Sequence, residues 1–125
     1  MRILVVGDGK VGHTLAEHLA REGHDVVIVD RSEEVLQRSE DTLDVLCVRG
    51  NGANAATLVD AGADKADIII AATASDETNM LCCLVAKKLG TRYSIARIRD
   101  PEYNDSLTRS SGLRQPYVTS HALNS

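Results

Sequence analysis

A glycine-rich segment near the start of the chain constrains its fold more than any other feature. Residues 3–6 form a short aliphatic run typical of a buried β-strand, and Gly7, Gly9 and Gly12 follow it in the G-x-G-x-x-G spacing. In this pattern the first glycine permits a tight turn, and the second lets a phosphate approach the main chain. The third lets the next helix pack closely on the sheet. The segment therefore predicts a strand, a turn and a helix whose N-terminus faces an anion.

A second aliphatic run, residues 26–29, ends at Asp30. In dinucleotide-binding proteins an acidic residue about 20 positions beyond the glycines holds a ribose hydroxyl. Asp30 could instead cap the helix that follows, but Ser32 already offers a cap, so the ribose role is favoured. Arg31 suggests a partner for a 2′-phosphate, yet the carboxylate of Asp30 would repel that group. We therefore expect NAD(H) or ATP/ADP rather than NADP.

Five aliphatic runs alternate with helical segments along the chain; they are residues 3–6, 26–29, 45–48, 68–72 and 95–98. Strands that alternate with helices predict a parallel sheet with right-handed crossovers. We expect an α/β fold, a Rossmann-like doubly wound parallel sheet with strand order 3-2-1-4-5 that a sixth strand could extend. The pattern fades after about Ser106, and residues 115–119 are compatible with a short strand or a tail.

Helix boundaries are also marked in the sequence. Ser32 and Ser75 each precede two acidic residues, as N-caps do, and Asp100 precedes a proline at the first helical position. The helix predicted over residues 78–89 is mostly apolar or small, so we expect much of its surface to be covered. An apolar helical flank of this kind is the expected association surface.

The composition fits this fold and excludes several classes of protein. Hydrophobic residues make up 43% of the 125 residues, with no Trp or Phe, so the core must be aliphatic, as in sheets buried on both faces. The net charge of −4 and three Tyr give no basis for a nucleic-acid partner. The longest apolar run is too short to span a bilayer, and the first strand leaves no room for a signal peptide. We expect a single nucleotide-binding domain over residues 1–125.

No residue pattern indicates catalysis or metal binding. Ser75 has no nearby partner that would make it a nucleophile, and His13, His18 and His24 are expected to face solvent on or just after the first helix. The three cysteines lack metal-ligand spacing and indicate reduced, cytosolic thiols. We therefore expect a binding protein that is not an enzyme. The alternative is the cofactor-binding domain of an NAD-dependent dehydrogenase or reductase, separated from its substrate domain.

Four blocks, residues 7–12, 29–31, 71–80 and 95–103, give the chain a close resemblance to a known family. They resemble the N-terminal nucleotide-binding domain of the regulatory subunit of Trk-type potassium uptake systems, also called the RCK, KTN or TrkA-N domain. The glycine block is generic, whereas the last two blocks are much more specific. The resemblance covers about residues 1–105, and the stretch after Ser106 matches poorly.

The resemblance implies a nucleotide site. The residues expected at it are Gly7, Asp8, Gly9, Lys10, Val11, Gly12, Asp30, Arg31, Asn51, Gly52, Thr73, Ala74 and Arg97. The glycine turn would hold the phosphates, Asp30 a ribose, and the loops at residues 50–52 and 73–74 would line the crevice. Lys10 could reach a terminal phosphate or lie in solvent. Arg97 would reach the nucleotide, or it could pair with Asp76 or Glu77.

The resemblance also implies partners and a location. Members of the family bind NAD(H) or adenine nucleotides, assemble as homodimers or larger rings, and regulate a membrane potassium transporter or channel subunit from its cytosolic face. We therefore expect a cytoplasmic domain that is peripheral to the membrane through its partner and does not insert directly. Family members usually continue into a further ligand-binding domain, whereas this sequence stops at residue 125, as a fragment or a minimal version would.

Overall fold

The computed structural model describes residues 1–103 and the main chain of residues 117–119. Its five parallel strands are β1 (Arg2–Val6), β2 (Asp25–Asp30), β3 (Leu46–Arg49), β4 (Ile68–Ala71) and β5 (Tyr93–Arg97). They lie in the order β3-β2-β1-β4-β5, which confirms the predicted topology.

A sixth strand extends the sheet beyond β5. β6 (Tyr117–Thr119) pairs with β5 in the antiparallel direction. The segment that was compatible with a strand or a tail therefore contributes a strand. Gln115 and Pro116, which belonged to the same prediction, lie outside the described residues. That residues 1–125 form one domain stays a prediction for the same reason.

Helices cover both faces of the sheet. α1 (Lys10–Arg21) and α2 (Glu33–Thr42) pack on one face, against the side chains of Ile3, Val5, Val26 and Ile28. α3 (Ala55–Asp60) and α4 (Asp76–Leu89) pack on the other, against Leu4, Val6, Val27 and Val29. Since successive side chains of a strand point to opposite faces, the buried residues of β1 and β2 are all aliphatic. The sheet is doubly wound, as predicted.

The helix caps decide where N–H groups remain free. The Ser32 hydroxyl accepts a hydrogen bond from Val35 N at 3.3 Å, and the Ser75 hydroxyl accepts one from Thr78 N at 3.2 Å, so both predicted serine caps are confirmed. By contrast, α1 begins after Gly9, and no side chain caps it. The N–H groups of its first turn therefore have no partner within the helix.

The core contains free thiols. Cys82 and Cys83 are buried on α4, Cys47 is half-buried on β3, and none forms a disulfide. Burial raises the pKa of the Cys83 thiol to about 12. Burial, with the nearby acids Glu40 and Asp8, raises the pKa of Cys47 to about 11. These thiols are therefore protonated and unreactive near neutral pH. Within residues 1–103 no helix is long and apolar enough to cross a membrane.

Candidate functional site

A crevice opens at the carboxyl ends of β1, β2 and β4, where the strand order reverses. Open α/β sheets bind ligands at this topological switch point. The cavity measures about 240 Å³. It brings together seven of the residues that the sequence predicted, namely Gly7, Asp30, Arg31, Asn51, Gly52, Thr73 and Ala74. Gly50, from the loop that was also expected to line the crevice, lies there too, as do Ser75 and Thr78, which were not predicted at the site.

The three motif glycines are present for different reasons. Gly7 has φ +98°, and a Cβ added to it would lie 2.9 Å from Thr73 N. A Cβ on Gly12 would lie 1.7 Å from the carbonyl oxygen of Gly7. The fold itself therefore requires glycine at both positions. A Cβ on Gly9 would meet nothing within 4 Å, so no contact inside the described chain explains the glycine at this position.

The start of α1 supplies hydrogen-bond donors beside Gly7. Lys10, Val11 and Gly12 form its first turn, and the cap residue Gly9 has φ −78° and ψ −165°. Free N–H groups and the positive end of the helix dipole make such a terminus favourable for an anion. The Lys10 side chain is exposed and does not line the crevice, so its contact with a phosphate stays a prediction.

Asp30 is fixed in the crevice by two main-chain groups. Its Oδ2 accepts a hydrogen bond from Asp8 N at 2.8 Å, and its Oδ1 accepts one from Ser32 N at 2.8 Å. Asp30 does not cap α2, because Ser32 does. A carboxylate has about four acceptor positions, so two remain for a ligand. The result is a negative acceptor held in a set position between two loops.

The Asp8 side chain is directed into the protein. Its carboxylate is fully buried; Oδ2 accepts from the Ser39 hydroxyl at 2.5 Å, and Oδ1 lies 3.3 Å from His13 Nδ1. These contacts tie the glycine turn to α1 and α2, and Asp8 does not line the crevice. The expectation that His13 faces solvent holds in part: its side chain is 37% exposed, while its ring also reaches Asp8 and Ser39.

The loop after β3 closes the crevice from one side. A Cβ on Gly52 would lie 2.2 Å from Val6 Cγ1, so the loop can pack on β1 only with glycine there. Gly50 N donates to Asp30 O at 2.9 Å, and the Asn51 side chain accepts from Ala53 N at 2.9 Å. The loop is therefore fixed against the ends of β1 and β2.

Arg97 is the predicted site residue that lies farthest along the sheet. It ends β5, beyond β4, and does not line the crevice. The alternative pairing with Asp76 or Glu77 is not observed among the described residues. Asp76 accepts the main-chain N–H groups of Arg99 and Asp100 at 2.9 and 2.6 Å, and Glu77 accepts from the Tyr103 hydroxyl at 3.1 Å.

Asn79 connects the end of β5 to the crevice, although the sequence analysis gave it no role. It is completely buried on α4 and hydrogen-bonds to both Thr73 and Arg97. The sequence feature that could have revealed it is an amide side chain inside an otherwise apolar helix segment, next to Met80, Cys82 and Cys83. No cluster of three or more metal-ligating side chains occurs among residues 1–103.

The doubly wound sheet, its glycine turn and the crevice at the switch point define a Rossmann-like domain. The TrkA-N domain model matches residues 3–116. The chain therefore belongs to the TrkA-N domain family, and the resemblance drawn from the sequence is confirmed.

Named relatives agree with this assignment. The Trk system potassium uptake protein TrkA homolog of Archaeoglobus fulgidus is 41% identical over 123 residues, covering 98% of this chain and 26% of the relative. The Trk system potassium uptake protein TrkA of Vibrio alginolyticus is 44% identical over 104 residues, covering 82% of this chain and 23% of the relative. The chain thus spans about a quarter of their length.

A solved structure of the GsuK channel bound to NAD matches the fold. Its TM-score is 0.73 at 26% sequence identity, covering 86% of this chain and 20% of the channel chain. Relatives by sequence therefore include potassium uptake proteins, and structural neighbours include the RCK domain of GsuK.

Proposed function

We propose that this domain binds NAD(H) or ATP/ADP in the crevice and thereby controls a membrane potassium transporter or channel. The observation that carries the proposal is Gly9. Its neighbours leave open space where a Cβ would be, whereas Gly7 and Gly12 are required by the protein's own packing. A residue without a side chain, next to a helix N-terminus that no side chain caps, lets a phosphate approach the main chain.

Asp30 supports a ribose as the second part of the ligand. Its carboxylate lines the crevice and is already held by Asp8 N and Ser32 N, so binding requires little reordering of this side chain. A ribose diol can donate to its free acceptor positions. A 2′-phosphate at the same place would face a negative charge, which disfavours NADP.

The remaining predicted residues have complementary roles in this proposal. Arg31, Asn51, Gly52, Thr73 and Ala74 form the walls around the nucleotide. Asp8, Val11 and Gly12 shape the turn and the first turn of α1, where Lys10 extends toward a terminal phosphate. Arg97 completes the site from β5, a role that requires its side chain to reach past Thr73.

The regulatory part of the proposal rests on the relatives. Two of them are named as potassium uptake proteins, and the GsuK channel was solved with NAD bound. We propose that this domain, too, acts with a membrane potassium transporter or channel subunit. It would work as a homodimer or larger ring in the cytoplasm, peripheral to the membrane through that partner.

Binding without turnover is the expected chemistry. In the described part of the chain, Asp30 is the single ionisable acid that lines the crevice, and each of its oxygens accepts a hydrogen bond from one main-chain N–H group. A cofactor domain separated from a dehydrogenase or reductase is the competing hypothesis. Hydride transfer by the chain would support that alternative.

The first prediction concerns Asp30→Asn. We expect the wild-type chain to bind NAD⁺, NADH, ATP and ADP in calorimetric titrations, and NADP⁺ more weakly than NAD⁺. Losing a charged acceptor costs about 1.5–3 kcal/mol, so the variant should bind about one to two decades more weakly. The difference in affinity between NAD⁺ and NADP⁺ should be smaller for the variant, because the carboxylate that repels the 2′-phosphate is gone.

Asp25→Asn is the matched control. Asp25 lies on the same strand at its opposite end and is exposed, so this variant should bind like the wild type. Thermal unfolding is measured in parallel, because Asp30→Asn also weakens the acceptor of Asp8 N and Ser32 N. Equal affinity of the folded Asp30→Asn variant and the wild type for all the nucleotides would contradict the proposed site.

A further inference from the structure

Asn79 is a polar residue buried where an aliphatic one would be expected. It lies one turn into α4 and has 0% of its surface exposed, like its neighbour Cys82. Burying an amide costs free energy unless its polar groups find partners. The partners of Asn79 therefore indicate what the residue does.

Thr73 and Arg97 satisfy the whole amide. Asn79 Oδ1 accepts from Thr73 N at 2.9 Å and from the Thr73 hydroxyl at 2.7 Å. Asn79 Nδ2 donates to Thr73 O at 3.1 Å and to Arg97 O at 2.8 Å. A main-chain N–H only donates and a carbonyl only accepts, so these partners fix the orientation of the amide. Two donors and two acceptor positions are all in use.

These bonds join two strands at the point where their own pairing stops. The ladder between β4 and β5 ends with the pair Ala71 and Ala96. Thr73 follows β4, and Arg97 is the last residue of β5. A side-chain amide offers the same donor and acceptor as a peptide group. Asn79 thus continues the connection between the strand ends after the ladder has finished.

The position of Thr73 matters for the crevice. Thr73 lines it, and a Cβ on Gly7 would lie 2.9 Å from Thr73 N, so the main chain here forms the wall opposite the glycine turn. The Thr73 hydroxyl also accepts from Ser75 N at 3.2 Å, which extends the ordering along the rim. A wall displaced by about 1 Å is enough to disturb a site that depends on close approach.

We propose that Asn79 is a positioning residue of the crevice. It does not contact the nucleotide; it holds the end of β4 at a set distance from Gly7 and links it to the end of β5. The inference rests on the proposed function, because it concerns the affinity of the same site. It adds a residue on α4 that influences this affinity although it does not line the crevice.

The test compares Asn79→Asp with Thr91→Val. Asn79→Asp keeps the size of the side chain and the acceptor for Thr73 N, but it sets a carboxylate oxygen against the carbonyl groups of Thr73 and Arg97. Thr91 is also buried, and its hydroxyl donates to Ala63 O at 2.6 Å. Thr91 lies just before β5, at the amino ends of the strands, whereas the crevice lies at their carboxyl ends. Thr91→Val therefore removes a buried hydrogen bond far from the crevice.

We expect both variants to lower the melting temperature but only Asn79→Asp to weaken binding. The dissociation constants of NADH and ATP should rise by about tenfold or more for Asn79→Asp and stay within about twofold for Thr91→Val. Wild-type affinity in Asn79→Asp, or an equal loss in Thr91→Val, would overturn the inference.

A measurement on the wild-type chain applies even if Asn79→Asp does not fold. In ¹⁵N-labelled protein, saturation with NADH or ATP should shift the side-chain NH₂ signals of Asn79 and the amide signal of Thr73, but leave the Thr91 amide unchanged. Unshifted Asn79 and Thr73 signals in nucleotide-bound protein would overturn the inference. A wild-type chain that binds neither nucleotide overturns the proposed function as well, whereas equal binding by wild type and variant overturns only the inference.

Discussion

At the scale of single residues, the glycines of one motif are needed for different reasons. Gly7 and Gly12 are fixed by neighbouring main-chain atoms, since a Cβ would lie within 2.9 and 1.7 Å of them. Gly9 has ordinary dihedral angles and open space around it. Substitutions at Gly12 and Gly9 should therefore separate folding from binding.

The prediction is that Gly9→Ala folds and loses affinity, whereas Gly12→Ala loses stability. Alanine is compatible with the backbone of Gly9, so the melting temperature should change little. A methyl group pressed against a phosphate costs about 1–3 kcal/mol, which weakens nucleotide binding about tenfold or more. In Gly12→Ala the methyl meets the carbonyl oxygen of Gly7 and must displace α1. Calorimetric titration and thermal unfolding check the pair, and undiminished binding by Gly9→Ala would contradict the phosphate role.

At the scale of secondary structure, α4 has three distinct surfaces. Its first turn reaches the crevice through Thr78, and its inner face is buried through Asn79, Cys82 and Cys83. Its outer face is left open by the described residues, since Leu81 and Leu84 are 52% and 48% exposed. The helix was expected to be covered on much of its surface, and an assembly would cover this outer part.

We predict that the outer face of α4 is the homo-oligomer contact. Leu84→Lys, and likewise Leu81→Lys, should raise the dissociation constant of the oligomer by about tenfold or more, because a charge replaces apolar area at the interface. Light scattering after gel filtration measures the change. Leu46 is 70% exposed at the outer strand β3, so Leu46→Lys is the control and should not alter assembly. A monomeric wild type, or dissociation by Leu46→Lys alone, would contradict the prediction.

At the scale of the whole molecule, the crevice and the segment after β5 are held by neighbouring residues at the start of α4. The Asp76 carboxylate, at the start of α4, accepts the main-chain N–H groups of Arg99 and Asp100, and Ser75 beside it lines the crevice. A nucleotide that moves the rim would therefore act on the segment that follows β5. The size of any such shift is limited by the difference in affinity between the two states.

The corresponding prediction uses a chimera of the Vibrio alginolyticus relative, with its matching segment replaced by residues 1–103 of this chain. We expect the chimera, reconstituted with its potassium transporter, to support potassium flux that differs between NADH and ATP. A tenfold difference in affinity between states corresponds to about 1.4 kcal/mol of coupling. Asp30→Asn should reduce the response, and Asp25→Asn should not. Equal flux in every nucleotide state, with nucleotide bound, would contradict a regulatory role.

The sequence by itself determined the strand order, both serine caps and the placement of Gly7 and Asp30 at the crevice. These features follow from local patterns, because turn glycines, N-caps and aliphatic runs act over a few residues, and parallel strands bring their carboxyl ends to one edge. Even the distance from the glycines to Asp30 reflects a single helix crossover.

Only the tertiary structure decided which side chains contact residues that are distant in the sequence. It turned Asp8 toward Ser39, 31 residues away, brought His13 to the same pair, and left Arg97 outside the crevice lining. It also made Asn79 the link between the ends of β4 and β5. Each of these contacts depends on how helices pack on the sheet, and packing is set by the whole core rather than by the residues next to it in the chain.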